Sequence, residues 1–347
     1  MVETQQKPIL EVKNLKKHFP IVRGFTRRLV GHTKAIDGVS FNVAAGQTLG
    51  LVGESGCGKS TMGHCIMRGI EPTSGEVIFH DPKLGPTDVV KADPATLRQL
   101  RFNMQMVFQD PSSSLNPRMT LLQIVSEPLI VNKVARGKEA QDQVVDLLRL
   151  VGLLPEHMHR FPHAFSGGQR QRIAVARALA LRPKLIIADE PVSALDVSIQ
   201  AQTLNLLQDL QEQFNLSYLF VSHDLSVVEH ISDCVAVMYV GKLVEMADTE
   251  EIYHDPKHPY TEALLSSVPN PELKSQKQRI ILSGEVPSPS KPPTGCYFHP
   301  RCRYAKELCT QQEPALQEVS PGHFAACHFA DTLSLRGVHD RTGFTRR

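Results

Sequence analysis

No stretch of this sequence approaches the roughly 18 consecutive apolar residues that a membrane-crossing helix needs. The N-terminus, Met1 to Pro8, has no apolar core of the kind a signal peptide carries, so the expectation is a chain made and kept in the cytosol. Excess charge of one sign is lacking too. With 38 Lys and Arg against 36 Asp and Glu, the net charge of +2 gives no argument for nucleic acid or an anionic membrane surface. The seven cysteines, in a reducing compartment, point to thiols or a metal centre rather than to disulfides. What remains is a globular composition, 41% apolar and 21% charged, over 347 residues, with room for about two domains.

The stretch Gly53-Glu54-Ser55-Gly56-Cys57-Gly58-Lys59-Ser60-Thr61 fits the phosphate-loop pattern G-x-x-x-x-G-K-[ST]. The apolar run Leu49 to Val52 before it reads as a buried strand, and Thr61 to Ile70 has helical spacing. Glycines let backbone N–H groups wrap closely around phosphates, and the following helix adds the positive end of its dipole. Lys59 can reach the β and γ phosphates, and the Ser60 hydroxyl can ligate Mg²⁺. The alternative is a glycine-rich turn that matches by accident.

Around it, short apolar strands alternate with helices, which predicts an α/β core with a mainly parallel sheet. Ile9 to Leu15 alternates like an edge strand, Arg23 to Lys34 reads as a basic loop, and Ala35 to Val43 as a strand. Ser74 to Phe79 reads as a turn and strand, Asp81 to Pro94 as a loop, and Phe102 to Phe108 as a strand. Leu121 to Leu154 and Arg170 to Leu181 are helical; Val235 to Tyr239 and Lys242 to Glu245 form a hairpin about Gly241. Phe19 is either a stacking face for a purine or a core phenylalanine. Three histidines between His157 and Phe165 read as surface residues rather than metal ligands. Asp189 and Glu190 end the apolar strand Leu185 to Ala188. One acid can hold Mg²⁺ and the other can polarise a water that attacks the γ-phosphate, or the pair is a solvated turn.

The order is phosphate loop, Gln109, Ser166-Gly167-Gly168-Gln169, Asp189-Glu190, Ser193 to Asp196, His223. Over about residues 8–256 this resembles the ATP-binding subunits of ABC transporters, with Phe165 where the signature usually has leucine. The resemblance implies a RecA-like P-loop ATPase core with an antiparallel β subdomain and a helical signature subdomain, about residues 110–181. It implies that Phe19 stacks on adenine, that Gly53 to Thr61 bind the phosphates, and that Gln109 contacts Mg²⁺ or the attacking water. It makes Glu190 the general base, with His223 holding the γ-phosphate and Asp196 at a dimer seam. Ser166 to Gln169 then act on a partner's ATP, so hydrolysis needs a second ATPase subunit.

A second set of motifs narrows the family. Phe108 to Arg118, His258-Pro259-Tyr260-Thr261-Glu262-Ala263-Leu264-Leu265, Gly284 to Pro289 and Pro292 to Cys296 resemble the oligopeptide and dipeptide permeases, closest to their F-type ATPase subunit. That implies a D-type ATPase partner, two transmembrane permease subunits and an extracytoplasmic peptide-binding protein, at the cytoplasmic face of the inner membrane. Residues 257–330 would be the C-terminal domain of this family, and 331–347 a disordered tail. Cys296, Cys302, Cys309 and Cys327, spaced C-x5-C-x6-C-x17-C, can hold a [4Fe–4S] cluster or zinc, or stay unliganded. Missing C-x2-C pairs lean against a zinc knuckle, and the resemblance implies the cluster. Cys57, Cys65 and Cys234 read as small apolar core residues. Competing functions are import of nickel or glutathione by the same architecture, and a non-transport ABC ATPase on nucleic acid or ribosomes. The latter would need a long coiled coil, a duplicated cassette or a strongly basic face, none of which the sequence has.

Overall fold

The computed structural model describes residues 7–24, 28–268 and 279–338, with backbone only for Pro111 and Ser112. The strands are β1 (Pro8–Arg23), β2 (Arg28–Ala44), β3 (Thr48–Val52), β4 (Ser74–Asp81), β5 (Gly85–Asp88) and β6 (Met104–Val107). They continue as β7 (Leu185–Asp189), β8 (Ser217–Val221), β9 (Cys234–Tyr239), β10 (Lys242–Asp248), β11 (Gln317–Ser320) and β12 (His323–Ala325). The chain forms two compact units that interleave in sequence: unit 1 is Met1–Glu11, Asn42–Thr48 and Ile78–Val221; unit 2 is Val12–Phe41, Leu49–Val77 and Ser222–Arg347. The C-terminal residues from Ser222 onward fall in the same unit as the phosphate loop.

In unit 1 the strands run β8-β7-β6, all parallel, with Ile186 facing Gln105 on one side and Tyr218 on the other. β7 and β8 are buried at every position, as parallel strands covered on both faces must be. Helices Leu121–Val131, Gly137–Leu150, Gly167–Leu179 and Val197–Phe214 complete the unit. The helix Pro94–Asn103 fills the interval between the expected loop ending at Pro94 and the expected strand starting at Phe102. Asp93 accepts the Ala95 and Thr96 N–H groups as its N-cap and Pro94 takes the first helical position, where its missing N–H costs nothing. The expected loop over 81–94 also holds β5, antiparallel to β4 from Ile78↔Asp88 to Asp81↔Gly85.

In unit 2, β3 pairs parallel with β9, and β9, β10, β12 and β11 follow antiparallel. The Val240-Gly241 turn has φ of +43 and +77, a left-handed pair that closes a tight hairpin. β12 adds to the edge of β10 with Glu245↔Ala325, so the cysteine-bearing segment extends the core sheet. The expected basic loop 23–34 is strand from Arg28 onward. β2 continues through 17 residues, and its basic residues give a loop-like signal because its first half is exposed to solvent. Within the tail expected over residues 331–347, Leu335 and Val338 are buried and Val338 N–H donates to Tyr253 O at 2.7 Å, so residues up to 338 are packed. Residues 339–347 and Asn270-Pro271 lie outside the described residues.

Candidate nucleotide site

In unit 2 the helix Lys59–Ile66 starts directly from Gly58, which sits at φ 110. A Cβ there would lie 2.1 Å from Ala35 O, so only glycine allows the backbone to approach this closely. Lys59 is 4% exposed, and its Nζ donates to Gly53 O at 2.8 Å and Glu54 O at 3.2 Å. Ser55 and Gly56 are exposed and Ser60 half-exposed, while Cys57 is buried. Burial pushes the Cys57 thiol up, so it is a packing residue as expected, and Cys65 is likewise fully buried. Cys234 departs from that reading: it is half-buried, with Sγ donating to Asp248 Oδ1 at 3.2 Å.

Phe19 is half-exposed on β1, with Lys17 Nζ over its ring 4.8 Å from the centroid, so it is not a core phenylalanine. His223 is exposed and precedes Asp224, which caps the helix Leu225–Ile231 by accepting Ser226 N–H.

In unit 1 the acids end β7. Asp189 is 5% exposed. Glu190 takes a left-handed φ of +45, rare outside glycine, and its N–H donates to Val221 O at 3.0 Å. Gln109 Nε2 donates to Glu190 Oε2 at 2.8 Å, joining two residues that the sequence singled out separately. Ser166 and Gln169 form a reciprocal capping box on the helix Gly167–Leu179. A Cβ on Gly168 would lie 2.3 Å from Ile199 Cγ2, which explains the second glycine of the signature. Phe165, the departure from the usual leucine, is 5% exposed and fills the same apolar role. Asp196 caps the helix Val197–Phe214, its Oδ1 accepting Ile199 N–H at 3.0 Å. His157 meets Phe165 edge-on and His163 stacks on Phe161.

Cys296, Cys302, Cys309 and Cys327 line one pocket with Phe298, Tyr304 and Phe329. The expected [4Fe–4S] cluster is nevertheless not supported. Among the described residues no three His, Cys, Asp or Glu are grouped so as to hold a metal ion. Burial pushes the Cys296 thiol up to about 12 and the Cys327 thiol up to about 11.

Residues 36–193 match the ABC transporter family, and residues 244–309 match the oligopeptide/dipeptide transporter C-terminal region. The chain is 54% identical to the oligopeptide transport ATP-binding protein AppF of Bacillus subtilis, over 94% of this chain and 99% of that one. This chain belongs to the ABC transporter ATP-binding subunits of the oligopeptide/dipeptide type. It is also 49% identical to the dipeptide transport ATP-binding protein DppF of Escherichia coli, over 94% of this chain and 96% of that one. Among solved structures it resembles cbiO1 of Clostridium perfringens, part of the cbiONQ complex, with TM-score 0.60 and 27% identity over 72% of this chain and 91% of that one. It also resembles the MJ0796 cassette, a dimer bound to ADP and Pi after hydrolysis, with TM-score 0.59 and 28% identity over 69% of this chain and 98% of that one. The fold is thus the RecA-like P-loop ATPase core of ABC subunits.

Within this family setting, the sequence reading missed a contact at the second position of the phosphate loop. Arg301 Nη1 and Nη2 reach Glu54 Oε2 at 2.7 Å and Oε1 at 3.1 Å, and Tyr260 Oη accepts the Glu54 N–H at 2.8 Å. Tyr260 belongs to the His258–Leu265 motif. The same motif places Glu262, 1% exposed, where it accepts from Arg303 and Tyr304. No local signal in the sequence marks Arg301.

Proposed function

We propose that this chain is the ATP-hydrolysing subunit of an importer of dipeptides or oligopeptides. What carries the reading is one continuous match: 54% identity over 94% of the chain to an oligopeptide transport ATP-binding protein, including the C-terminal region. In this reading Phe19 stacks on adenine, the Gly53–Thr61 backbone and Lys59 hold the phosphates, and His223 meets the γ-phosphate. Ser60, Asp189 and Gln109 offer the hard oxygen donors that Mg²⁺ takes, and Mg²⁺ would supply charge neutralisation on the β and γ phosphates. Glu190 takes the proton of the attacking water, and its contact with Gln109 supports that role.

The signature Ser166-Gly167-Gly168-Gln169 acts on the ATP of a second, D-type ATPase subunit, and Asp196 lies at the seam between them. The dimer reported for the MJ0796 cassette supports this reading. No described helix is long and apolar enough to cross a membrane, so two permease subunits would carry the path and this chain would sit on their cytoplasmic side. The test is to purify the full complex with both permeases, both ATPases and the peptide-binding protein, reconstitute it, and measure peptide-stimulated ATP hydrolysis and uptake. Co-purification with DNA or ribosomes instead would overturn the proposal, and stimulation by nickel or glutathione but not by peptide would replace the cargo.

The cysteine pocket carries a narrower proposal, an iron–sulfur cluster or zinc. Four thiols on one pocket wall support it, and the absence of a metal-holding group among the described residues weighs against it. Iron, sulfide and zinc content of anaerobically purified protein decides; none of the three at stoichiometric level removes the proposal.

A further inference from the structure

A phosphate loop is built to hold an anion, yet this one carries a carboxylate, Glu54, at its second position. A negative side chain beside a triphosphate repels it. At a separation of about 8 Å in a partly screened setting, Coulomb's law makes one unpaired charge worth roughly tenfold in affinity. The structure shows what offsets that charge. Arg301 closes a two-bonded fork on both Glu54 oxygens, at 2.7 and 3.1 Å.

The cation is held firmly. Its side chain is 7% exposed, against 27% for Glu54. It sits on the single turn His299–Arg301, fixed by Arg301 N–H to Phe298 O at 3.0 Å and Cys302 N–H to His299 O at 3.2 Å. Tyr239, Tyr260 and Phe298 pack against one another with centroids 4.6 to 5.4 Å apart, and the guanidinium carbon lies 6.0 Å from the Tyr239 centroid. Arg301 Nη1 also reaches Tyr239 Oη at 3.4 Å, while Nε makes no hydrogen bond among the described residues, so there the guanidinium's hydrogen bonds go to the loop carboxylate and that one phenol. Glu54 in turn receives Lys59 Nζ on its backbone oxygen at 3.2 Å, so the paired residue touches the lysine that meets phosphate.

We propose that Arg301 is a positioning residue for nucleotide binding: from the C-terminal region it neutralises Glu54 and holds that carboxylate away from the phosphates, so that the loop and Lys59 present a net positive face to MgATP. This rests on the ATP-binding function proposed above.

The experiment is equilibrium binding of MgATP to the full chain, with thermal melting as the control for folding. Wild-type binding tests the function itself; if the wild type does not bind, that reading fails and not this one. Arg301→Gln is expected to weaken MgATP binding about tenfold, with the loss shrinking in high salt. Arg301→Lys keeps the cation and is expected to stay within about threefold of wild type. The decisive arm is the double variant. Arg301→Gln with Glu54→Gln is expected to return to within about threefold of wild type, which no general loosening of the fold would produce. Glu54→Gln alone leaves the Arg301 cation unopposed beside the loop and is expected to bind MgATP more tightly than wild type, a gain that loosening of the loop would not give and that keeps the test decisive if every Arg301 variant fails to fold. Wild-type affinity in Arg301→Gln, no rescue in the double variant, or binding by Glu54→Gln no tighter than wild type would each overturn the proposal.

Discussion

Gln109 and Glu190, 81 positions apart, are joined by a 2.8 Å hydrogen bond from the Gln109 amide to the Glu190 carboxylate. Glu190 is held there by a left-handed backbone, at φ +45, and by its N–H bond to Val221 O. A carboxylate aimed by strain and by a neighbour's amide is arranged for a single orientation, which is what a general base requires.

Glu190→Gln is therefore expected to lower steady-state ATP hydrolysis in the assembled complex by about 10²- to 10⁴-fold while MgATP binding persists. Hydrolysis at the wild-type rate would remove Glu190 from the proton-transfer step. Gln109→Ala removes both the orientation of the Glu190 carboxylate and a proposed Mg²⁺ donor, so it is expected to lower kcat and to raise KM for MgATP.

Gly58 and Gly56 separate two costs of a side chain in the phosphate loop. At Gly58 the left-handed φ of +110 combines with a Cβ position 2.1 Å from Ala35 O; at Gly56, φ is +81 with nothing within 4 Å. Gly58→Ala is expected to cost at least about 3 kcal/mol and to abolish MgATP binding, Gly56→Ala only about 1 to 2 kcal/mol of backbone strain. Denaturant midpoints and binding isotherms on both variants check the contrast; equal losses would contradict it.

Asp196 was expected at a nucleotide seam, and the structure gives it a capping bond to Ile199 N–H. Asp196→Ala should destabilise the chain by about 1 kcal/mol, and Asp196→Asn, which still caps, by much less. If hydrolysis in the complex falls in both variants while stability falls only in the alanine variant, the side chain serves both purposes.

Asp37 supplies the pH dependence. Burial raises its pKa, but the Lys242 and Lys34 ammonium groups and the His18 ring outweigh that and hold it at about 2, against an ordinary 3.8. A carboxylate with a folded pKa below its unfolded value stabilises fully above the unfolded pKa and loses that stability as pH falls. Roughly 2 kcal/mol should therefore be present at pH 7 and disappear between about pH 4 and pH 2. Asp37→Asn should flatten that part of the stability curve, and an unchanged acid limb would show that the network contributes nothing.

Much of the fold could be read from the chain because its signals are local. β7 and β8 are short apolar runs buried on both faces, and the turn at Val240-Gly241 is fixed by its own residues. The helix Pro94–Asn103 was also legible, since Asp93-Pro94 is a cap and first-turn pair, but its proline-rich surroundings read as loop. Only the first part of β2 reads as loop: residues 28–34 are exposed or half-exposed without alternation, whereas Ala35 to Val43, which reads as a strand, alternates over its buried positions.

The sequence by itself determined the chemistry of the phosphate loop, Gly53 to Thr61. Glycine spacing, one lysine and one hydroxyl within nine residues are a local arrangement that any correct fold must keep. Only the tertiary structure decided what accompanies Glu54 in that loop. Its partner Arg301 is 247 positions away, on a turn between two cysteines that sequence reading assigned to a separate subdomain. No propensity or period encodes such a pairing. It exists because the aromatic cluster of Tyr239, Tyr260 and Phe298 packs the C-terminal region onto the phosphate-loop unit, and a guanidinium buried there has to find a carboxylate.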